Sequence, residues 1–298
     1  MTDQKRHIEE ELWFSSVSEE ELSKYDKEAA FAAFRKRVAE SQELPKAIVH
    51  RLGWLKYAAA VAAIVAVGYF SFKGGQSRME AAMGDIVVEA PLGSRTQMTL
   101  PDGTKVWLNA GSRISYSQGF CLVNRLVSIV GEGYFEVARN EQLPFSVESE
   151  NVRVKVLGTK FDFRDYPTDA EATVSLSEGS VAMKSLKYPA NDQVLKPGQR
   201  ATVDKTTGKI RVEEYEVVNS TQWTNGMLIF DGEPLQEIVK TLERSYNVKV
   251  QIANDQLLTL RFYGDFVRQE QSLNEVLDAL SATGKIKYKV EGQNVTLY

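Results

Sequence analysis

The side chains that most often carry enzyme chemistry are sparse in this 298-residue chain and poorly placed for it. Two histidines, His7 and His50, and one cysteine, Cys121, are the only soft metal ligands, and their wide separation matches no zinc or haem spacing. No metal and no cofactor is therefore expected. A lone cysteine makes no internal disulfide, and Cys121 reads as a small, buried hydrophobe. Ser128, Ser175 and the other serines follow an apolar stretch that both histidines precede, so no imidazole is placed to activate them. Gly131-x-Gly133 lacks the third glycine of a dinucleotide loop. Glu132 and Glu136, four apart in a strand pattern, read as solvated neighbours on one face and not as an acid–base pair. Trp107 and Tyr134 are the residues on which a glycan-binding reading would rest, although single aromatics in strands are more often core.

The elements that must hold these residues fall into distinct regions. Trp54 to Phe72 reads WLKYAAAVAAIVAVGYFSF, nineteen residues that rise about 28 Å as a helix, close to the ~30 Å of a bilayer's hydrocarbon. Ala58–Val67 is apolar on every helical face, and Trp54, Tyr57, Tyr69 and Phe70 stand at the ends as interfacial aromatics do. The stretch begins too late for a signal peptide. Arg35, Lys36, Arg37, Lys46, Arg51 and Lys56 precede it, whereas Lys73 and Arg78 follow. That asymmetry puts the N-terminus in the cytoplasm.

Residues 1–50 carry helix signals without enough apolar mass for a core. Ser18 to Glu21 has capping-box spacing, and Asp26 is placed to cap a second helix in which Phe31, Phe34 and Val38 recur at helical spacing. Together with Trp13 these residues form an apolar surface that needs a partner protein, a small self-packed bundle or a bilayer surface. From Gly84 the pattern becomes strand-rich: 85–90, 95–100 and 104–109, the last two joined by Pro101-Asp102-Gly103, then 113–117, 125–137, 144–149, 152–166, 172–184, 199–204 and 209–214. An all-β sandwich, roll or stack is expected there. After Trp223 come LIF (228–230), a helix over Leu235–Tyr246, strands at 248–252 and 260–266, a helix over Leu273–Thr283 and a final hairpin, which together predict a compact α+β domain. A net charge of −4 with no Lys/Arg tract argues against direct contact with nucleic acid.

Several phrases resemble the FecR family of membrane-spanning anti-sigma factors. They are Leu100–Thr104, Val106–Ser112, Gly131–Val137, Pro144–Val147, Val156–Phe161 and Leu195–Gln199, in family order. Residues 223–250 resemble the family's C-terminal domain, which is similar to the secretin and TonB short N-terminal domain. The resemblance implies a multi-domain chain. A helical cytoplasmic anti-sigma segment (1–50) precedes one transmembrane helix (54–72) and a linker (73–83). A periplasmic all-β domain (84–215) and an α+β receptor-sensing domain of βαβ repeats (223–298) follow.

It further implies inner-membrane signalling: an extracytoplasmic-function sigma factor held through Trp13, Phe31, Phe34 and Val38, and released when the signalling domain of an outer-membrane TonB-dependent receptor acts on the periplasmic part. The alternative is a membrane-tethered periplasmic scaffold or receptor-docking module without sigma control. Some relatives cut themselves at a Gly-Thr bond through an N-to-O acyl shift. Gly158-Thr159 is the matching pair here, and the competing reading is a glycine bulge whose threonine packs or hydrogen-bonds. Otherwise the chain is not expected to be an enzyme. At Ser245 many relatives are expected to carry tryptophan, and the substitution is expected to alter a surface contact only.

Overall fold

The computed structural model describes residues 26–41, 60–71, 84–122, 124–188, 192–216 and 220–298. The chain divides into two compact units, Met1–Lys73 and Gly74–Tyr298.

In the first unit, helix α1 spans Lys27–Ser41. Asp26 starts it as expected, its Oδ1 accepting from the N–H groups of Glu28 (3.0 Å) and Ala29 (3.2 Å). A second helix, α2, covers 60–71. Its side chains are exposed, with Ile64 and Phe70 each at 72%. Residues 54–59 and Phe72 of the expected span lie outside the described residues, as do Trp13 and the Ser18 capping box. Among the described residues, no helix is long and apolar enough to cross a membrane.

The second unit begins with thirteen strands that form two faces sharing one strand, β5 (Arg125–Glu136). The first half of β5 pairs antiparallel with β4 (Ser112–Ser117) and parallel with β6 (Phe145–Glu148). Its second half pairs with β3 (Lys105–Leu108) and β8 (Lys160–Asp165). The strand changes sheet at Gly131, where φ is +102° and a Cβ would lie 2.5 Å from Ser112 Oγ, so only glycine fits the corner. On one side of the corner, β1 (Asp85–Ala90), β4, β5, β6, β7 (Val152–Val156), β10 (Val181–Ser185) and β11 (Gln193–Leu195) follow in order. On the other side run β2 (Thr96–Thr99), β3, β5, β8, β9 (Glu171–Glu178), β12 (Gln199–Asp204) and β13 (Ile210–Glu214). We call these sheet A and sheet B.

Alternating side chains fill the space between the sheets. Phe135 stacks on Phe161 with ring centroids 5.1 Å apart and meets Phe145 at 6.2 Å. Val127, Ile129, Val154 and Val181 face them from sheet A, and Leu108, Phe163, Val174 and Leu176 from sheet B, all at 2% exposure or less. Each such burial contributes about 1.5–3 kcal/mol before entropy is set against it.

Two expected strands each divide in two. The run 152–166 breaks between β7 and β8 at Leu157–Thr159, and 172–184 turns at Gly179, whose φ is +95°. Strand β11 carried too short an apolar signal to be anticipated.

The C-terminal part has its own core. Strand β14 (Met227–Pro234) pairs antiparallel with β16 (Arg261–Val267), while β15 (Lys249–Ile252), β18 (Asn294–Leu297) and β17 (Tyr288–Glu291) form a three-stranded sheet. Strand β14 runs past the expected 228–230 to Pro234 through a bulge between Asp231 and Glu233. Helix α3 (Leu235–Tyr246) buries Leu235, Ile238, Val239 and Leu242, one face of a 3.6-residue period, and ends at Asn247 in the left-handed region. Helix α4 (Leu273–Ala282) starts at a Ser272–Glu275 capping box and buries Val276, Leu277 and Leu280. The expected α+β architecture is present.

Candidate functional site

Strand register places two polar rows across the outer face of sheet B. Paired neighbours run Gln97, Trp107, Tyr134, Asp162, Ser175, Arg200 and Glu213 in one row. The second contains Glu132, Arg164, Thr173, Thr202 and Arg211, with Asn109 at its head. These rows floor an open cleft of about 530 Å³ whose other wall is β14, the 3₁₀ turn Gln222–Asn225 and the first turns of α3.

Side chains cross from wall to floor at two places. Trp223, 7% exposed, donates Nε1–H to Asp162 Oδ1 at 3.1 Å. Burial, reinforced by Glu132, pushes the Asp162 carboxyl well above its usual range, although the indole bond and Arg200 and Arg164 pull the other way.

The second crossing centres on Asp169, whose side chain is 4% exposed. It accepts from Arg164 (Nη2, 2.7 Å) on the β-body and from Arg244 (Nη1, 3.0 Å) on α3, with Lys240 Nζ at 3.9 Å. Burial alone would raise the Asp169 carboxyl, but Arg164 and Arg244 outweigh it and hold it below the ordinary value. Arg164 loses to burial and regains more from Glu132 and Asp169, so its proton is held above the normal arginine range. The Arg244 guanidinium also lies 4.0 Å from the ring centroid of Tyr166, and its main-chain carbonyl accepts from Gly93 N–H at 2.8 Å.

The family phrases prove to be the supports of this surface. Asn109 donates Nδ2–H to Glu132 (2.7 Å), while its Oδ1 accepts from Ala110 N–H and from Arg95 Nε. Tyr166 OH donates to the Ala110 carbonyl at 2.9 Å and meets Ser112 Oγ at 3.2 Å. Asp102 holds its own turn by accepting from Thr104 N–H and Oγ1–H. It also pairs with Arg125, which donates onward to the carbonyls of Ala138 and Leu143. Gly133 makes room for Ile129 and Phe135, since a Cβ there would lie 2.8 Å from Ile129 Cδ1.

Other expected residues occupy different places. Thr159 is 4% exposed and donates Oγ1–H to the Ser180 carbonyl at 3.1 Å. Gly158 lies against Arg139, whose backbone leaves no room for a Cβ (2.9 Å to Cα). Both line a shallow pocket of about 380 Å³ with Lys105, Glu136, Lys160 and Glu178, away from the cleft. Phe31 and Phe34 are 57% and 61% exposed on α1 with ring centroids 6.4 Å apart, and Val38 is 39% exposed on the same helix.

Glu132 is not the solvated neighbour expected; it is half-buried and bound to Asn109. Trp107 and Tyr134 are half-buried on the outer face, paired across strands at 5.5 Å. Cys121 is half-buried against the core with φ +72°, and burial raises its thiol. Ser245 is no surface position: it is 5% exposed, and its carbonyl accepts from Arg268 Nε. Sequence alone did not single out Asp162, Asp169, Arg164 or Arg200. Each is one polar residue in an alternating strand or turn, and only register brings them together.

Residues 86–182 match the family model described as FecR protein, and residues 227–297 the one described as FecR, C-terminal, together more than half of the chain. Two crystal structures of a candidate anti-sigma factor from Parabacteroides distasonis, at 1.65 and 2.50 Å, superpose with a TM-score of 0.66 at 32% identity. They cover 72% of this chain and 98% and 99% of their own. The chain belongs to the FecR family of anti-sigma factors. No curated protein matches it. In FecR terms, the Leu100–Ser112 and Gly131–Val137 phrases are structural: a turn lock, a sheet corner and the polar spine under the cleft.

Proposed function

We propose that this FecR-family chain is a single-pass inner-membrane anti-sigma factor with its N-terminus in the cytoplasm. The exposed apolar cluster of Phe31, Phe34 and Val38 on α1 is the observation that carries the reading. Phe31, Phe34 and Val38 lie on a helix whose described side chains are exposed, with Arg35, Lys36 and Arg37 beside them, an arrangement suited to a protein groove. An extracytoplasmic-function sigma factor is the proposed occupant, with Trp13 as a further contact. The C-terminal α+β domain is proposed to receive the signal from the signalling domain of a TonB-dependent outer-membrane receptor.

The membrane crossing rests on the apolar length of 54–72 and its flanking charges, and the helical, exposed 60–71 stretch agrees with it. A reporter enzyme active only in the periplasm, fused after residue 84, tests it: activity is expected there, and its absence would reverse or remove the crossing.

The sigma reading is tested with the full-length chain and its genomically adjacent sigma factor. Capture is expected for the native chain, with at least about thirtyfold weaker affinity for Phe31→Asp or Phe34→Asp, the scale of a hot-spot contact. Failure of the native chain to hold that sigma factor would favour the periplasmic scaffold alternative.

A further inference from the structure

The cleft over sheet B has one wall of an unusual kind. Met227, Leu228, Ile229 and Phe230, four consecutive residues of β14, all line it. Alternate side chains on a strand point to opposite faces. Leu228 and Phe230, 5% and 3% exposed, place theirs in the C-terminal core. The bonds from Arg268 N–H to the Gly226 carbonyl and from Leu235 N–H to the Leu260 carbonyl fix the alternation, so the main chain of Leu228 and Phe230 is bonded to β16 and that of Met227, Ile229 and Asp231 points to the other edge. Strand β14 is hydrogen-bonded to β16 along one edge, and among the described residues no strand pairs with the other. An unpaired edge is a template for another extended chain, because its N–H and C=O groups lie ready in a row.

Charge says what kind of chain would fit. Eight carboxylates line the cleft against three guanidinium groups. Asp169 is already neutralised by Arg164 and Arg244, and Glu237 by Lys240 at 2.7 Å. Glu171 is exposed and Glu233 half-buried, and among the described residues neither makes an ion pair. The volume, about 530 Å³, is within the ~300–1,000 Å³ usual for ligand sites.

We propose that this cleft binds an extended basic peptide segment, which adds to the free edge of β14 as a third strand and sets its lysine or arginine side chains toward the carboxylates of the lining, Glu171 and Glu233 among them. Main-chain bonds to β14 supply affinity, and the net acidic lining selects charge. The proposal does not depend on the sigma reading, since α1 takes no part in it.

The test uses the full-length chain and fluorescein-labelled nine-residue peptides alternating lysine with valine or threonine. Comparators carry glutamate for lysine, or backbone N-methyl groups at either the odd or the even positions. Fluorescence anisotropy is expected to show binding of the lysine peptide, at least tenfold weaker binding of the glutamate peptide, and loss in one N-methyl register only, since only one set of N–H groups faces β14. The Glu171→Lys/Glu233→Lys double variant is expected to bind the lysine peptide at least tenfold more weakly with its Tm unchanged. No binding of the lysine peptide would overturn the proposal. Equal binding of both N-methyl registers and the parent would overturn strand addition, as would a double variant that binds like the native chain.

Discussion

Arg125 shows how far a strand residue's role can lie from its neighbours in sequence. Its side chain is 2% exposed, and its guanidinium makes four hydrogen bonds, to Asp102 and two carbonyls, which ties the 101–104 turn to β5 and to the 138–143 loop. Removing one partner of a buried pair strands the other charge, so Arg125→Ala is expected to cost about 3–5 kcal/mol by denaturant titration, and Arg125→Lys to recover little. Asp162 makes an opposite case. Its folded pKa is raised by burial and Glu132, so its stabilising share is full below the unfolded carboxylate pKa and is lost as pH rises through the folded value. Asp162→Asn keeps an acceptor for Trp223, and its Tm should exceed the native value at pH 8, with the two converging below about pH 4. Thr159→Ala should cost about 1 kcal/mol through the lost Ser180 bond. On the self-cleavage proposal, a fragment beginning at Thr159 should appear in native membranes and vanish in that variant; an intact native chain would end the proposal. The turn chemistry of Asp102 was legible in Pro-Asp-Gly, but its partner, twenty-three residues on, was not.

Strands and helices with a clean period could be read almost to the residue. Helix α3 matches the expected Leu235–Tyr246, because four apolar residues at 3.6-residue spacing leave one solution. Strand β1 begins and ends as expected at Asp85 and Ala90. Readings failed where apolar runs crossed a break that only packing imposes, as at Leu157–Thr159, where Gly158 passes against Arg139. The corner of β5 was visible as a glycine but not as a change of sheet. Gly131→Ala would force a side chain into φ +102° and into Ser112, and a loss of at least about 2 kcal/mol is expected by thermal or chemical unfolding. A Gly103→Ala control, at φ +85° with open space around it, isolates the backbone cost from the collision.

Across the folded second unit, Asp169 and Trp223 help to bind the C-terminal α+β part to the β-body, beside the Arg244–Tyr166 contact and the bond from Gly93 N–H to the Arg244 carbonyl. With both in place, calorimetry is expected to give one unfolding transition; Asp169→Ala, which leaves Arg164 and Arg244 without their shared carboxylate, should separate two. A single unchanged transition would mean the two parts are joined by other contacts. The strand-rich character of 84–215 could be read from alternation and turn residues, whereas the cleft could not, since its floor exists only through cross-strand register and its wall comes from β14 and α3. Strand β5 has a kinetic consequence as well. It belongs to both sheets and pairs with segments on either side of it in sequence, β3 and β4 before and β6 and β8 after. Neither sheet can close until that strand is seated, and neither can fray past it alone, so slow, all-or-none folding and uniform amide-exchange protection across sheets A and B are the expected signature.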